Sequence, residues 1–167
     1  MEHADVIRFV RESNLIEGLT HEPTYEEVFA TSMFMSRKKI DVGDMMDLVY
    51  AYQSGAGLRL FPTQNVRVGN HMPPPGGPAI KDELVRILMR VNTNTAHPFT
   101  AHCWYENLHP FMDGNGRSGR ALWAWQMMRF GYPPGLQLGF LHAWYYQSLQ
   151  EPRGQLEEAT IGGELHV

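Results

Sequence analysis

The chain has 167 residues, 43% of them hydrophobic and 19% charged, with a formal net charge of −4. That is enough chain for one soluble domain with a sizeable core. It contains no Lys/Arg-rich run, which argues against a dedicated nucleic-acid or membrane surface.

Residues 1–10 carry Glu2, Asp5 and Arg8 and lack an apolar stretch, so no signal peptide is expected there. No apolar run approaches the ~20 residues that span a bilayer. The expected location is the cytoplasm, with delivery into another cell left open. Residues 4–17 read as a helix with apolar positions at Val6, Phe9, Val10 and Ile16, stopped by Gly18. Residues 25–36 read as a second helix, entered through Glu22-Pro23-Thr24, with Thr24 and Glu27 at capping-box spacing. Residues 41–52 are a third, with Met45, Leu48, Val49 and Tyr52 at helical spacing.

The pattern then changes. Gly55 and Gly57 break the helical period, and residues 58–61 and 65–68 flank Pro62-Thr63-Gln64, which predicts a short β-hairpin. The proline-rich run at 73–78 reads as a stiff extended connector. Helices resume at 80–91 (Leu84, Ile87, Leu88 and Val91), 98–108 and 116–130, the last ended by Gly131-Tyr132-Pro133-Pro134. Residues 138–149 are read as a final helix, and residues from Glu151 as a loose polar tail. The lone cysteine, Cys103, excludes an intrachain disulfide, points to a reducing compartment and reads as a buried structural thiol beside Trp104. There is no internal repeat. The expected fold is one mostly α-helical domain with a single inserted β-hairpin.

The chemistry concentrates in His109-Pro110-Phe111-Met112-Asp113-Gly114-Asn115-Gly116-Arg117-Ser118-Gly119-Arg120. His109 ends one predicted helix and Arg117 opens the next. Gly114 and Gly116 can take backbone angles other residues resist, so successive N–H groups can turn inward as an anion nest at a helix N-terminus. Arg117 and Arg120 are three apart and share a helix face, which suits a polyphosphate. Asp113 is a hard oxygen ligand, and Mg²⁺ typically takes one or two carboxylates plus substrate phosphates. His109, with an ordinary pKa of roughly 6.5, can be neutral near pH 7 and accept a hydroxyl proton. An EF-hand fails on position: with Asp113 first, the sixth residue is Ser118 and the twelfth Ala124, where Gly and Glu are needed. A plain Asp-Gly-Asn-Gly turn leaves His109 and the arginine pair unexplained.

This run matches the His-Pro-Phe-x-Asp-Gly-Asn-Gly-Arg-x-x-Arg signature of Fic domains at every specified position. Asn65-Val66-Arg67-Val68-Gly69 followed by Pro73-Pro74-Pro75 resembles that family's flap and connector, and Ala101-His102 fits its preceding helix. The resemblance covers about residues 20–150. It implies a Fic-type helical bundle with a hairpin flap, and a protein adenylyltransferase that moves AMP from ATP to a Ser, Thr or Tyr hydroxyl of a target protein. His109 would be the base and Asp113 the Mg²⁺ ligand. Gly114, Asn115 and Gly116 would stabilise phosphate charge, and Arg117 and Arg120 would hold the β- and γ-phosphates. Phe111 would anchor the loop in the core. Relatives of the Doc type, which phosphorylate, carry Lys at the position of Gly116, so Gly116 favours AMP transfer. Phe61, Pro62, Thr63, Gln64, Asn65 and Val66 are the expected target-binding flap, its free edge open to an added strand.

Ser13 and Glu17 are four apart on one helix face, and Glu17 sits at a helix C-terminus, where the dipole disfavours an anion. A local rule broken at one place often marks function or a compensating partner. Ser13-x-x-x-Glu17-Gly18 resembles the inhibitory motif of many Fic proteins. That implies Glu17 paired with Arg120, keeping it from the γ-phosphate, with Ser13 supporting near Asn115. The same Glu could instead position water that removes AMP from a target. The expected organisation is an inhibitory helix at 1–18, a core at 19–150 and a tail at 151–167. His97, His102 and His109 lack zinc-site spacing. Trp123, Trp125, Met127 and Met128 read as core and pocket walls. The readings kept beside AMP transfer are AMP removal, transfer of another nucleotide or phosphate-containing group, and a non-catalytic nucleotide-binding module. Self-association is a further expectation from the resemblance.

Overall fold

The computed structural model describes residues 1–133. The helix expected at 138–149 and the tail from 151 lie outside the described residues, as does the C-terminal end of the expected core. The described chain forms six helices: α1 (His3–Ile16), α2 (Tyr25–Ser36), α3 (Val42–Tyr52), α4 (Pro78–Asn92), α5 (Pro98–Leu108) and α6 (Asn115–Arg129).

Their ends follow local chemistry. The Glu27 N–H donates to Thr24 Oγ1 at 3.2 Å and the Thr24 N–H to Glu27 Oε2 at 2.8 Å, so the predicted capping box forms. Asp41 and Asp44 repeat that exchange at α3, which makes Asp41 a cap rather than a helical residue. α4 starts two residues earlier than predicted because Pro78 fits a first helical turn, where its missing N–H costs nothing. α1 ends at Ile16, and Gly18 just past the Glu17 cap, with a φ of 76°, is the left-handed stop.

α5 packs against α4 and α6, α3 against α2 and α6, and α1 against α2 and α6. The core they enclose holds Phe9 and Val10 of α1, Met45 and Val49 of α3, Leu84 and Val91 of α4, Tyr105 of α5 and Trp125 of α6. Each such side chain removed from water contributes roughly 1.5–3 kcal/mol before entropy is charged. The Trp125 indole N–H is satisfied by the Arg37 carbonyl at 3.0 Å. Cys103 is half-buried rather than fully enclosed. Burial, and then the neighbouring Glu106 charge, push its thiol up to about 11, so it stays protonated at neutral pH.

The predicted hairpin does not form, and the described residues contain no strands. Leu58 instead bridges Phe111 in antiparallel sense, and Val68 bridges only His71. Around the first bridge, the Arg59 N–H donates to the Pro110 carbonyl at 3.0 Å and the Met112 N–H to the Gly57 carbonyl at 3.0 Å. The backbone that a partner strand at 65–68 would have used is thus committed to the loop after α5.

The Arg59 side chain explains the choice. It is fully buried, and its guanidinium donates to four backbone carbonyls: His109 at 2.7 Å, Leu108 at 2.8 Å, Pro74 at 2.8 Å and Gln64 at 3.3 Å. Burial draws its pKa below the usual arginine value. The connector crosses so closely at Gly76 that a Cβ there would lie 2.3 Å from the Phe61 carbonyl oxygen. Replacing Arg59 by Met should therefore orphan several buried acceptors and lower the unfolding free energy by about 3 kcal/mol. Denaturant unfolding checks this, and a loss no larger than that of an exposed Arg86→Met control would contradict it.

Candidate active site

The loop between α5 and α6 presents the motif. His109 closes α5 in the left-handed region, at φ 49° and ψ 62°. For a residue with a Cβ this conformation costs of order 1–3 kcal/mol unless its surroundings hold it. Here its N–H donates to the Tyr105 carbonyl at 2.9 Å and its own carbonyl accepts from Arg59 Nε. His109 Nδ1 lies 3.4 Å from the Glu106 carbonyl oxygen. A carbonyl only accepts, so Nδ1 carries the proton and Nε2 keeps its lone pair. Burial pulls the His109 pKa down to about 4. The Arg59 and His71 charges push the same way, and the Glu106 carbonyl and the Glu17 charge oppose them. The imidazole is therefore neutral at physiological pH.

Gly114 opens α6 at φ 75° and brings no side chain to cap it. The N–H groups of the first turn are left for an anion, with the positive end of the helix dipole behind them. Asp113 Oδ1 accepts from the Gly114 N–H at 2.6 Å. The Asn115 side chain turns back, accepting from the Phe111 N–H and donating to the Phe111 carbonyl, both at 2.9 Å. It braces the loop and pins Phe111, which is fully buried. Ser118 Oγ donates to the Gly114 carbonyl at 2.9 Å, which locks the first turn from inside.

Both arginines are buried, each beside a different carboxylate. Arg120 donates through a terminal nitrogen to Glu17 Oε1 at 2.6 Å and to the Ser13 carbonyl at 3.0 Å, and through Nε to Ser13 Oγ at 3.0 Å. Ser13, expected near Asn115, thus turns both its Oγ and its carbonyl oxygen to Arg120. The Glu17 charge, misplaced for its own helix, is compensated from α6. Gly116 is what lets it in: a Cβ there would lie 2.3 Å from Glu17 Oε1. Arg117 turns the other way. It lies 3.6 Å from Glu27 of α2, donates to Gln53 Oε1 at 3.3 Å, and stacks over the Tyr52 ring at 5.4 Å.

A cleft of about 340 Å³ joins these groups, within the ~300–1,000 Å³ usual for small-molecule sites. His109, Asp113, Gly114, Asn115, Gly116, Arg117, Arg120 and Glu17 all line it. Leu19, Gln53 and Glu106, which the sequence reading did not mark, line it too, as do Arg67 and Val68 of the segment that resembles the flap. Phe61, Pro62, Thr63, Gln64, Asn65 and Val66 are not among the lining residues, because the backbone at 58–60 is drawn toward the loop after α5. Trp123, Trp125, Met127 and Met128 do not line the cleft either. Trp125 is core, and Trp123 stacks on His102 at 5.6 Å. The His102 ring donates from Nδ1 to the Gly119 carbonyl at 3.0 Å. Among the described residues no three His, Cys, Asp or Glu side chains gather as a metal cluster. One carboxylate, Asp113, beside a nest is a donor set that suits Mg²⁺ held jointly with phosphates.

The fold and the site together define a Fic-type domain, and the comparisons agree. Residues 42–127 match the Fic/DOC family. A protein adenylyltransferase Fic from Drosophila melanogaster is 41% identical over 80 residues, which are 44% of this chain and 16% of that protein. One from Drosophila mojavensis is 38% identical over 96 residues, 54% of this chain and 19% of that protein. In structure, a Fic family protein from Desulfovibrio desulfuricans G20 superposes with a TM-score of 0.64 at 22% identity, covering 87% of this chain and 56% of that one. A Fic-1 fragment from C. elegans gives 0.60 at 23% identity, covering 87% and 55%. These two show the fold alone. The chain belongs to the Fic/DOC family, and it spans less than a fifth of the length of the two fly proteins.

Burial also lowers the pKa of His102, to about 3. The Arg120 charge adds to this, and the Gly119 carbonyl bond opposes it. Both depressed histidines are neutral in the folded chain and ordinary once unfolded, so the unfolded state binds more protons below about pH 6.5. Their contribution to stability is complete above that pH and is lost progressively as pH falls toward 4 and then 3. The denaturant midpoint should decline over that window, and His102→Gln should flatten the decline. A midpoint flat from pH 7 to 4.5 would contradict both assignments.

Proposed function

We propose that this domain is an adenylyltransferase that moves AMP from ATP to a hydroxyl of a target protein and is restrained in cis by Glu17. The observation that carries the reading is Arg120, buried at the mouth of an uncapped helix, with its guanidinium occupied by Glu17 inside the cleft that neutral His109 lines. The naming of the fly relatives as protein adenylyltransferases supports the same reaction.

In this reading the N–H groups opening α6 receive the phosphates of ATP, and Arg120 binds the terminal phosphate once Glu17 withdraws. His109 Nε2 takes the proton of the target hydroxyl. That oxygen attacks the α-phosphorus, the bond to the bridging oxygen breaks, and pyrophosphate leaves. Bound at Asp113, Mg²⁺ would offset phosphate charge. Asn115 acts by holding the loop through Phe111, and Arg117 adds positive charge from the α2–α3 side. The contribution of the chain is placement and fixed electrostatics rather than covalent chemistry. A target segment laid along residues 65–68 would bring its hydroxyl to His109, held by main-chain bonds.

A second reading, AMP removal, draws on one feature. Glu17 shares the cleft with His109 and is 32% exposed, so it can hold a water there as well as Arg120.

Glu17→Gly protein with Mg²⁺, a lysate as target source and ATP labelled at the α- or γ-phosphate separates these readings. The expected result is α-label only, at least about tenfold above wild type for the release of one charged contact, and abolished by His109→Ala. Label from the γ-phosphate alone would mean phosphoryl transfer. Loss of AMP from a labelled target that requires Glu17 would favour removal.

A further inference from the structure

We propose that Glu27 positions Arg117 and that Asn14 ties Glu27 to α1, so that one turn of α1 governs both arginines of the site. The proposal rests on the adenylyltransferase reading for its functional consequence, but its geometry stands without it.

Glu27 is already used once, as the reciprocal half of the α2 cap. A cap needs an exposed helix end and no more, yet this carboxylate is 3% exposed. Its other neighbours account for the burial. Asn14 Nδ2 donates to Oε1 at 3.2 Å and to Oε2 at 3.3 Å, and Arg117 lies 3.6 Å from Oε1. At 3.6 Å the Arg117 contact is an ion pair without a hydrogen bond. Isolated burial of either charge would be unfavourable, so each accounts for the other's position.

The Arg117 guanidinium has no second anion among the described residues. Its other contacts are Gln53 Oε1 and the Tyr52 ring, whose hydroxyl is fixed 2.7 Å from Thr31 Oγ1. Its Nε is buried with no hydrogen-bond partner among the described residues. Among the described residues Glu27 is thus the one carboxylate that compensates the Arg117 charge, beside the Gln53 and Tyr52 contacts that orient it, and Arg117 lines the cleft. α1 reaches this arrangement through Asn14, adjacent to Ser13 and three residues before Glu17. Ser13 and Glu17 engage Arg120 directly; Asn14 engages Arg117 through Glu27. Glu27 is a positioning residue, since it acts on a bound phosphate only through Arg117.

The test uses Glu17→Gly protein, in which the direct hold on Arg120 is gone. Glu27→Gln keeps an oxygen for the cap and removes the charge, and Thr24→Ala removes the other half of the cap and keeps the charge. Expected for Glu27→Gln is a roughly tenfold rise in KM for ATP, with kcat changed by less than about twofold, as for loss of uniform binding to a charged partner. Thr24→Ala is expected to lower Tm and leave KM unchanged. Independently of turnover, the Nε–Hε resonance of Arg117, assigned by its loss in Arg117→Lys, should be ordered in the parent and become mobile in Glu27→Gln and in Asn14→Ala. An unchanged or lower KM in Glu27→Gln, or a Thr24→Ala effect of equal size, would overturn the functional part. An Arg117 signal that stays ordered in Glu27→Gln would overturn the positioning itself. If the parent transfers no label, the resonance still decides the inference, and only the adenylyltransferase reading falls.

Discussion

A guanidinium satisfied by backbone carbonyls, with no carboxylate beside it among the described residues, holds the centre of this domain. Arg59 reaches under the loop after α5 and gathers the carbonyls of Leu108 and His109 together with those of Gln64 and Pro74. Carbonyl dipoles satisfy a buried cation only when several converge, so the contact fixes four backbone points at once. The end of α5, the left-handed His109, the turn at 61–64 and the proline-rich connector are placed by the same side chain. The site therefore depends on a residue some fifty positions away that does not line the cleft.

The second constraint is charge compensation around α6. The start of that helix is positive by construction, with two buried arginines added. The protein balances them with carboxylates from two other helices, Glu17 at the end of α1 and Glu27 at the start of α2. One glycine makes the first pairing possible. Gly116 leaves room for Glu17 Oε1, so the bare backbone that would let a phosphate approach also lets a carboxylate sit at the nest. In the proposed reaction, ligand and restraint would have like charge and would compete for the same donors.

Much of this was legible in the chain. The capping box of Thr24 and Glu27 and the glycine after α1 act within a few residues, and the six described helices followed to within one or two residues, although Asp41 was read as helical and Pro78 as connector. The run from His109 to Arg120 was legible because its mixture of base, acid, glycines and arginines has few structural uses. Glu17 was marked because it violated the dipole rule, and the structure supplies the compensating Arg120. The hairpin was misread for a physical reason. Residues 58–61 and 65–68 have strand-like composition, but pairing is a non-local choice, and Leu58 found Phe111 instead. Glu27 was read as a cap and is one, yet its partners Asn14 and Arg117 are 13 and 90 positions distant, and no local rule signals them.

The sequence alone placed the six described helices to within a residue or two and marked a carboxylate at residue 17 as out of place at a helix C-terminus, because those properties arise from neighbours within a turn or two. The family resemblance implied Glu17 paired with Arg120, and the structure places them 2.6 Å apart; only the tertiary structure decided the pairing of Glu27 with Arg117 and of Arg59 with the carbonyls around His109. It also set the burial that lowers the His109 pKa to about 4 and brought the Arg59, His71 and Glu17 charges near it. Local hydrogen bonds and propensities are short-ranged and can be read along the chain. Burial and charge pairing depend on which helices meet, and that is settled only when the core closes.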